Sequence, residues 1–358
     1  MKIGIDCRMF SSSFTGIGRY CFELVRHLEQ TPHEYVLFLN DPQFKDFKAP
    51  KNCKKVRVNA PHYSLKEQTT FLHALNKEKL DLMHFPHFNV PLFYRHPYIV
   101  TIHDLTLTYF PGKKLNRWYH RFAYHLIIKN ATRRAKKIIA VSENTKKDII
   151  NELKINPQKI ITIHNGIGNE FHPIPHPNSP TKNPFLLYTG VWRNHKNIPA
   201  LIEALAILRN DHKLDLDLII TGRPDPAYPE IKESVARHKL ESHTHFPGLV
   251  PEKELINLYN AALFYVFPSL YEGFGFPPLE AMKCGTPAVV SNRSCIPEIC
   301  GDAAVYFNPE DPQDIAKKIA TLYKDPDAQA ELIEKGIVQA QKFTWPQAVK
   351  ETYKLYEL

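Results

Sequence analysis

The sequence predicts an α/β protein built as two doubly wound halves, each a parallel sheet covered by helices on both faces. Three observations carry that prediction. Short β-prone runs alternate with segments of helical period, a proline-rich interruption crosses residues 171–184, and the same alternation restarts after it.

In the first half the strand-like runs are Ile3–Asp6, Tyr35–Asn40, Lys55–Val58, Asp81–His84, Tyr98–His103, Lys137–Val141 and Lys159–His164. Parallel strands need crossover connections, and the helical segments between these runs supply them, which makes the first half a Rossmann-type domain. Residues 171–184 then bring Phe-His-Pro-Ile-Pro-His-Pro-Asn-Ser-Pro-Thr-Lys-Asn-Pro. So many prolines can neither continue a helix nor pair inside a sheet, so the stretch reads as an interdomain linker. The second set of strands is Phe185–Gly190, Leu214–Thr221, Thr244–Pro247, Leu263–Phe267, Thr286–Ser291 and Ala303–Phe307. After Asp311 the pattern is helical to the end, broken at Phe343-Thr-Trp-Pro346, and Trp345, Tyr353 and Tyr356 recur at spacings that share a helix face. The expected domains are 1–172 and 173–340, with 341–358 as a terminal helix and a cleft between the halves.

Composition narrows the function classes. The chain of 358 residues is 43% hydrophobic, and none of its apolar runs reaches the roughly 18 residues that span a bilayer. Lys2-Ile-Gly-Ile-Asp6 is strand-like and lacks a signal-peptide pattern, so the protein is expected in the cytoplasm. Six scattered cysteines without zinc spacing read as reduced structural thiols. A net charge of +9 suits an anionic substrate or an anionic membrane surface and gives no reason to expect nucleic acid.

The most informative stretch is Pro268–Gly285, Pro-Ser-Leu-Tyr-Glu-Gly-Phe-Gly-Phe-Pro-Pro-Leu-Glu-Ala-Met-Lys-Cys-Gly, which joins an apolar strand to a helix. Gly273 and Gly275 permit backbone angles closed to other residues, and a helix opening near Pro277 presents unpaired N–H groups and the positive end of its dipole. Together with Phe274 and Phe276 they frame a cradle for an anion or a polyhydroxy ligand. Glu272 in the loop and Glu280 on the helix offer carboxylates suited to sugar hydroxyls. A plain helix cap beside a solvated glutamate is the alternative.

Other candidates sit at predicted strand ends. Gly16 and Gly18, in Thr15-Gly-Ile-Gly-Arg-Tyr20, precede a helical run from Tyr20 to Glu29 but lack the third glycine and later acid of a dinucleotide fingerprint. His103 ends the fifth strand, where it touches either a ligand or only its own loop. Arg193 and Lys196 follow the first strand of the second half, where cations for a diphosphate belong, unless they are solvated surface charges. Asp215 and Asp217 have the spacing of a carboxylate pair but lie at the wrong sheet edge for a metal site, and His84 and His87 lack the companions of a zinc site. No metal is expected. The basic stretch from Lys113 to Lys137, with Trp118, Tyr119, Phe122 and Tyr124, is either a membrane-surface helix or a helix whose aromatic side is buried.

With these residues in view, the chain resembles the family 4 retaining glycosyltransferases of the GT-B fold over nearly its whole length. Glu272 and Glu280 match the family's paired glutamates, and Gly190 to Asn197 matches its donor loop. Asn165-Gly166, Phe246-Pro-Gly248 and Pro297-Glu-Ile-Cys-Gly-Asp-Ala-Ala304 match downstream segments. The opening Ile-Gly-Ile-Asp with Thr-Gly-Ile-Gly-Arg-Tyr is similar to a mannosyltransferase-like branch that builds surface polysaccharide. His195 departs from the arginine that many members carry.

The resemblance implies two Rossmann-like domains facing across a cleft, with the last helix crossing back to the N-terminal acceptor domain. It implies that Glu280 holds ribose hydroxyls, that Glu272 with the backbone of Gly273, Phe274, Gly275 and Phe276 holds the transferred sugar, and that Arg193 and Lys196 hold the diphosphate. His103 would contact the sugar, and Gly16 and Gly18 would let the backbone approach phosphates. The implied activity is metal-independent, retaining transfer of a hexose, with mannose from GDP-mannose the first expectation, to a glycan or lipid-linked acceptor at the inner face of the membrane. A nucleotide-sugar epimerase or phosphorylase on this plan, or a non-catalytic nucleotide-sugar or polysaccharide-binding protein, are the rival readings, and fold alone does not separate them.

Overall fold

A computed structural model describes residues 1–10, 16–28, 32–112 and 118–357. The chain forms two compact units. The first gathers Met1–Leu105, Leu115–Gly166 and Trp345–Leu358, and the second gathers Thr106–Lys114 and Ile167–Thr344.

The first unit carries strands β1 (Lys2–Asp6), β2 (Glu34–Leu39), β3 (Cys53–Arg57), β4 (Leu82–Phe85), β5 (Tyr98–Ile102), β6 (Lys137–Ala140) and β7 (Ile160–Thr162). They form one sheet in the order β3-β2-β1-β4-β5-β6-β7, and every pairing is parallel. Strands covered on both faces read as continuous apolar runs, and Ile3, Ile5, Val36, Leu37, Ile99, Val100, Ile138 and Ile139 are accordingly buried. Helices α1 (Gly16–Arg26), α2 (Gln43–Asp46), α3 (Leu72–Lys77), α5 (Trp118–Arg134) and α6 (Glu143–Leu153) lie between the strands. Ser142 caps α6 by accepting from the Thr145 N–H.

The last helix, α14 (Trp345–Lys354), belongs to this unit and is fastened by a buried polar relay. His84 Nδ1 meets the Tyr356 hydroxyl at 2.7 Å, and its Nε2 meets Thr101 Oγ1 at 2.9 Å. Tyr353 donates to the Leu24 carbonyl at 2.8 Å, and Trp345 packs edge-on against Tyr20. His84, at a strand end in the sequence reading, is a fully buried member of β4 that holds the terminal segment.

The second unit carries β8 (Phe185–Thr189), β9 (Asp217–Thr221), β10 (Thr244–Gly248), β11 (Phe264–Phe267), β12 (Ala288–Ser291) and β13 (Ala304–Phe307), all parallel, in the order β10-β9-β8-β11-β12-β13. Helices α7 (Ile198–Asn210), α8 (Glu230–Arg237), α9 (Glu252–Ala261), α10 (Phe276–Lys283), α11 (Ile296–Cys300), α12 (Pro312–Tyr323) and α13 (Pro326–Gln341) complete it. The short α4 (Thr106–Tyr109) follows β5 in sequence but is packed in this unit. The proline-rich stretch is laced to α9, because Asn260 Oδ1 accepts from the Ile174 N–H at 2.8 Å and Asn257 Oδ1 from the Asn178 N–H at 2.9 Å.

Both sheets reverse direction of growth between their first and fourth strands. In the first this switch lies between β1 and β4, in the second between β8 and β11. Ligands of open α/β sheets bind outside the carboxyl ends of the strands that flank such a point.

Candidate active site

At the second sheet's switch point the loops after β8 and β11 meet through one ion pair. Lys196 Nζ donates to Glu272 Oε1 at 2.6 Å, and the two side chains are 15% and 13% exposed. The loop after β8 turns through Asn197, whose left-handed backbone opens α7 and whose amide donates to the Pro309 carbonyl at 2.6 Å. Glu272 is gripped through its main chain. The Ser294 hydroxyl donates to the Glu272 carbonyl at 2.6 Å and its oxygen faces the Glu272 N–H at 3.2 Å.

Gly275 has φ +89, a backbone angle that favours glycine, and a Cβ there would lie 2.8 Å from Ile296 Cδ1, the tip of a side chain that would have to shift. It opens α10 with Pro277 and Pro278 in the first turn, leaving the helix's first N–H groups unpaired within the helix. Phe274 is 4% exposed and packs on Phe276 and Phe343, so only its backbone is placed to serve a ligand. Glu280 sits further along α10, where Tyr259 donates to its Oε2 at 2.8 Å. The Tyr259 hydroxyl also meets Thr189 Oγ1 at 3.0 Å, and Thr189 meets the Tyr265 hydroxyl at 3.1 Å. A relay from the end of β8 therefore orients Glu280. Burial, with the Glu280 charge behind it, pushes the Tyr259 phenol well above its ordinary pKa, so it remains a donor.

Arg193 is held by three partners. It donates to Asp225 and to the Trp192 carbonyl, and its guanidinium lies 5.3 Å from the centre of the Tyr228 ring. Gly222, at the end of β9, has φ +125 and approaches Gly190 so closely that a Cβ would lie 2.1 Å from the Gly190 carbonyl oxygen. Tyr188, Trp192 and Ser269 each bury a polar side-chain atom that has no partner among the described residues, and the Tyr188 phenol feels the Glu272 charge.

In the first unit, His103 Nε2 lies 2.8 Å from the Pro86 carbonyl, which can only accept, so Nε2 carries the hydrogen and Nδ1 is left as the acceptor nitrogen. Burial lowers the His103 pKa, keeping the ring neutral, and Tyr20 packs edge-on against it at 5.1 Å. Gly16 is the first residue of α1 and Gly18 lies buried in its first turn, so the glycines expected in a loop are helical instead. The helix therefore starts four residues earlier than the sequence suggested, at Gly16 rather than Tyr20. Thr15 and Glu29 lie outside the described residues.

The structure thus joins Lys196 to Glu272 directly, puts Arg193 in the same loop as Lys196, and sets Glu280 on the helix that Gly275 opens. Sequence reasoning did not single out Ser294, Tyr259 or Asp225. Each reaches its partner from a distant part of the chain, and no local pattern announces that. The Asp215–Asp217 pair separates: Asp215 binds Arg209 at 2.6 Å, whereas Asp217 is buried between His243 and His245. Among the described residues no group of three or more His, Cys, Asp or Glu side chains is arranged to hold a metal ion. On α5, Trp118, Tyr119 and Phe122 are 78%, 41% and 64% exposed, so the reading in which the aromatic side is buried holds for Tyr124 and fails for these three; Leu126, on the same helix, is 48% exposed.

The chain is similar to known proteins in sequence and in fold. The model of the family described as Glycosyltransferase Family 4 matches residues 14–171, and that described as Glycosyl transferases group 1 matches residues 173–339. An O-antigen chain mannosyltransferase B from Escherichia coli is 28% identical over the full length of both chains. Among solved structures, a sucrose-phosphate synthase from Thermosynechococcus elongatus superposes with a TM-score of 0.82 at 22% identity, covering 100% of this chain and 98% of its own. Anabaena Alr3699/HepE in complex with UDP-glucose superposes with a TM-score of 0.76 at 17% identity, covering all of both chains. Two Rossmann-like units, the paired glutamates and two family matches that together run almost end to end lead to one assignment: the chain belongs to the family 4 glycosyltransferases and has the GT-B fold.

Proposed function

We propose that this glycosyltransferase moves a hexose, with retained anomeric configuration, from a nucleotide sugar to a glycan or lipid-linked acceptor in the synthesis of a surface polysaccharide such as O-antigen. Mannose from GDP-mannose is the proposed donor group, supported by the mannosyltransferase relative over its full length. The observation that carries the reading is the Lys196–Glu272 pair spanning the β8–β11 switch point, with Arg193 in the same loop and Glu280 oriented by Tyr259.

Each group has a task in that reaction. Breaking the sugar–phosphate bond leaves negative charge on the nucleoside diphosphate and positive character on the sugar. Lys196, Arg193 and the α10 N-terminus stabilise the first more in the transition state than in the ground state, without requiring a metal ion. Glu272, its main chain fixed by Ser294, positions the sugar and offsets its positive character. Glu280 accepts from the ribose, and His103 offers Nδ1 to a sugar hydroxyl. The departing phosphate oxygen lies on the face that the acceptor hydroxyl attacks and takes its proton, so no covalent nucleophile is needed.

The acceptor end of the reading includes the membrane. No helix among the described residues is long and apolar enough to cross a bilayer. The exposed Trp118, Phe122 and Leu126 repeat every fourth residue along α5 beside Arg121, Lys129 and Arg133, which suits peripheral contact with anionic lipid on the cytoplasmic face.

A thermal-shift screen of nucleotide sugars, followed by nucleotide release from the best hit with and without glycan acceptor, tests the proposal. Stabilisation by GDP-mannose with acceptor-dependent GDP release is the expected result. Conversion of donor alone points to an epimerase, a requirement for inorganic phosphate to a phosphorylase, and binding with no release to a non-catalytic binder.

A further inference from the structure

The connection after β5 leaves the first unit's sheet and packs instead among the donor loops of the second unit. Residues 106–112 touch three of these loops. Tyr109 lies 5.0 Å from Tyr271, ring centre to ring centre, and Phe110 lies 6.3 Å from the same ring and 5.9 Å from His195. Gly112, at φ +59, passes so near Tyr228 that a Cβ there would sit 3.3 Å from its hydroxyl. Tyr228 is the ring over which Arg193 is held, His195 immediately precedes Lys196, and Tyr271 immediately precedes Glu272. The aromatic cluster therefore packs on the residues that immediately precede both members of the Lys196–Glu272 pair. The backbone is drawn in as well, since the Leu270 N–H donates to the His195 carbonyl at 2.7 Å. His195, where this chain departs from the usual arginine, turns its ring to Phe110.

Water is the competitor that a glycosyl donor must be shielded from, because an apolar wall beside the reacting centre removes the alternative nucleophile. We propose that residues 106–112 are a working part of the donor site and that Phe110, with Tyr109 and Tyr271, excludes water from the sugar–phosphate bond and so suppresses hydrolysis of the nucleotide sugar. The inference rests on the transferase reading above. In the suppressed reaction the bond from the anomeric carbon to the phosphate oxygen breaks, a bond from that carbon to a water oxygen forms, and the water's proton passes to the departing nucleoside diphosphate. Phe110 touches the walls of the site rather than the reacting atoms, so it is a positioning residue.

The test measures free sugar released without acceptor, using GDP-mannose and UDP-glucose as probe donors, for the wild type, Phe110→Ala and Phe110→Leu. Phe110→Ala is expected to raise acceptor-free release on the order of tenfold with little change in donor KM, whereas Phe110→Leu, which keeps an apolar side chain, stays near the parental rate. Amide exchange across residues 193–197 should quicken in Phe110→Ala alone. A merely structural role would lower turnover with stability and would not raise hydrolysis. Tyr109→Ala, at a position 39% exposed, gives a second reading should Phe110→Ala lose its fold. Unchanged or slower sugar release in variants that melt with the wild type overturns the inference and leaves the transferase reading standing. A wild type that turns over no nucleotide sugar, with or without acceptor, overturns both.

Discussion

Replacing Lys196 by alanine separates a catalytic cation from a structural one. Its ammonium lies 2.6 Å from Glu272 Oε1, with the two side chains 15% and 13% exposed, so the site is largely but not wholly withdrawn from water. Two unit charges about 4 Å apart interact by about 4 kcal/mol at an effective dielectric constant near 20. If roughly half a charge develops on the diphosphate as the bond breaks, about 2 kcal/mol of that attraction appears only in the transition state, a loss of about 30-fold in kcat. The cost to folding is smaller. Glu272 loses its partner but retains access to water, which places the destabilisation near 1 kcal/mol. Thermal melts and steady-state kinetics on Lys196→Ala, with Glu272→Gln alongside, read the two effects separately. A variant that melts normally yet turns over at the parental rate would show that Lys196 does not face the departing phosphate. One that melts far lower with intact kcat would make the pair a fold element only.

Three further outcomes follow from the same geometry. Tyr259→Phe keeps the buried ring but removes the hydroxyl that holds Glu280, so donor KM should rise about 3- to 10-fold with kcat nearly intact; an unmoved KM would dissociate the relay from ribose binding. Trp118→Ser combined with Phe122→Ser should abolish co-flotation with vesicles containing anionic phosphatidylglycerol while leaving the melting temperature in place, and undiminished flotation would remove α5 from the membrane reading. Burial, with a smaller contribution from the neighbouring His103, lowers the His84 pKa to about 3. Its unfolded value is about 6.5, so between these values the unfolded chain binds the extra proton and stability falls as pH drops, by up to about 1.4 kcal/mol per pH unit. Denaturant melts of the wild type and His84→Gln across that range should differ in slope, and equal slopes would refute the assignment.

The sheets were legible because parallel strands covered on both faces must be apolar along their length, and runs such as Ile99–Val100 and Phe264–Phe267 announce themselves without help from tertiary context. The turn at Gly275 was equally readable, since a glycine between a strand and a proline-led helix has a narrow set of uses. Where the answer depended on what covers a surface, the sequence was silent. The spacing of Trp118 and Phe122 marks a common face, but only packing decides that this face is bare while Tyr124 is covered. The start of α1 was placed too late because glycine's low helix propensity masks a helix that tertiary packing extends to Gly16. Ser294 grips the Glu272 main chain and Tyr259 the Glu280 carboxylate, 22 and 21 residues away, and residues 106–112 look like an ordinary loop after β5. Contacts of that kind are properties of the folded chain.

Each sheet has its own switch point and the two are filled in opposite ways, and the contrast bears on why we propose the second for the donor. Beside β1 and β4, Arg8 is sealed from solvent. Its Nε and Nη2 donate to Asp6 at 2.9 and 2.8 Å, its Nη1 donates to Glu67 and to the Ala60 carbonyl at 3.2 Å, and Nη2 also reaches the Asn89 carbonyl at 3.4 Å. Burial raises the pKa of Glu67 and works to raise that of Asp6, where the Arg8 charge and its hydrogen bonds outweigh it and leave Asp6 lowered. A buried charge with every partner satisfied is costly to disturb, so this guanidinium has nothing left to offer a phosphate. Beside β8 and β11 the cation is a lysine with a single carboxylate and a partial opening to solvent. In the proposed reaction an arriving diphosphate competes for that ammonium, and the Glu272 carboxylate it releases turns to the sugar. One fold used twice in a single chain thus yields a locked switch point that ties loops together and an exchangeable one that can do chemistry.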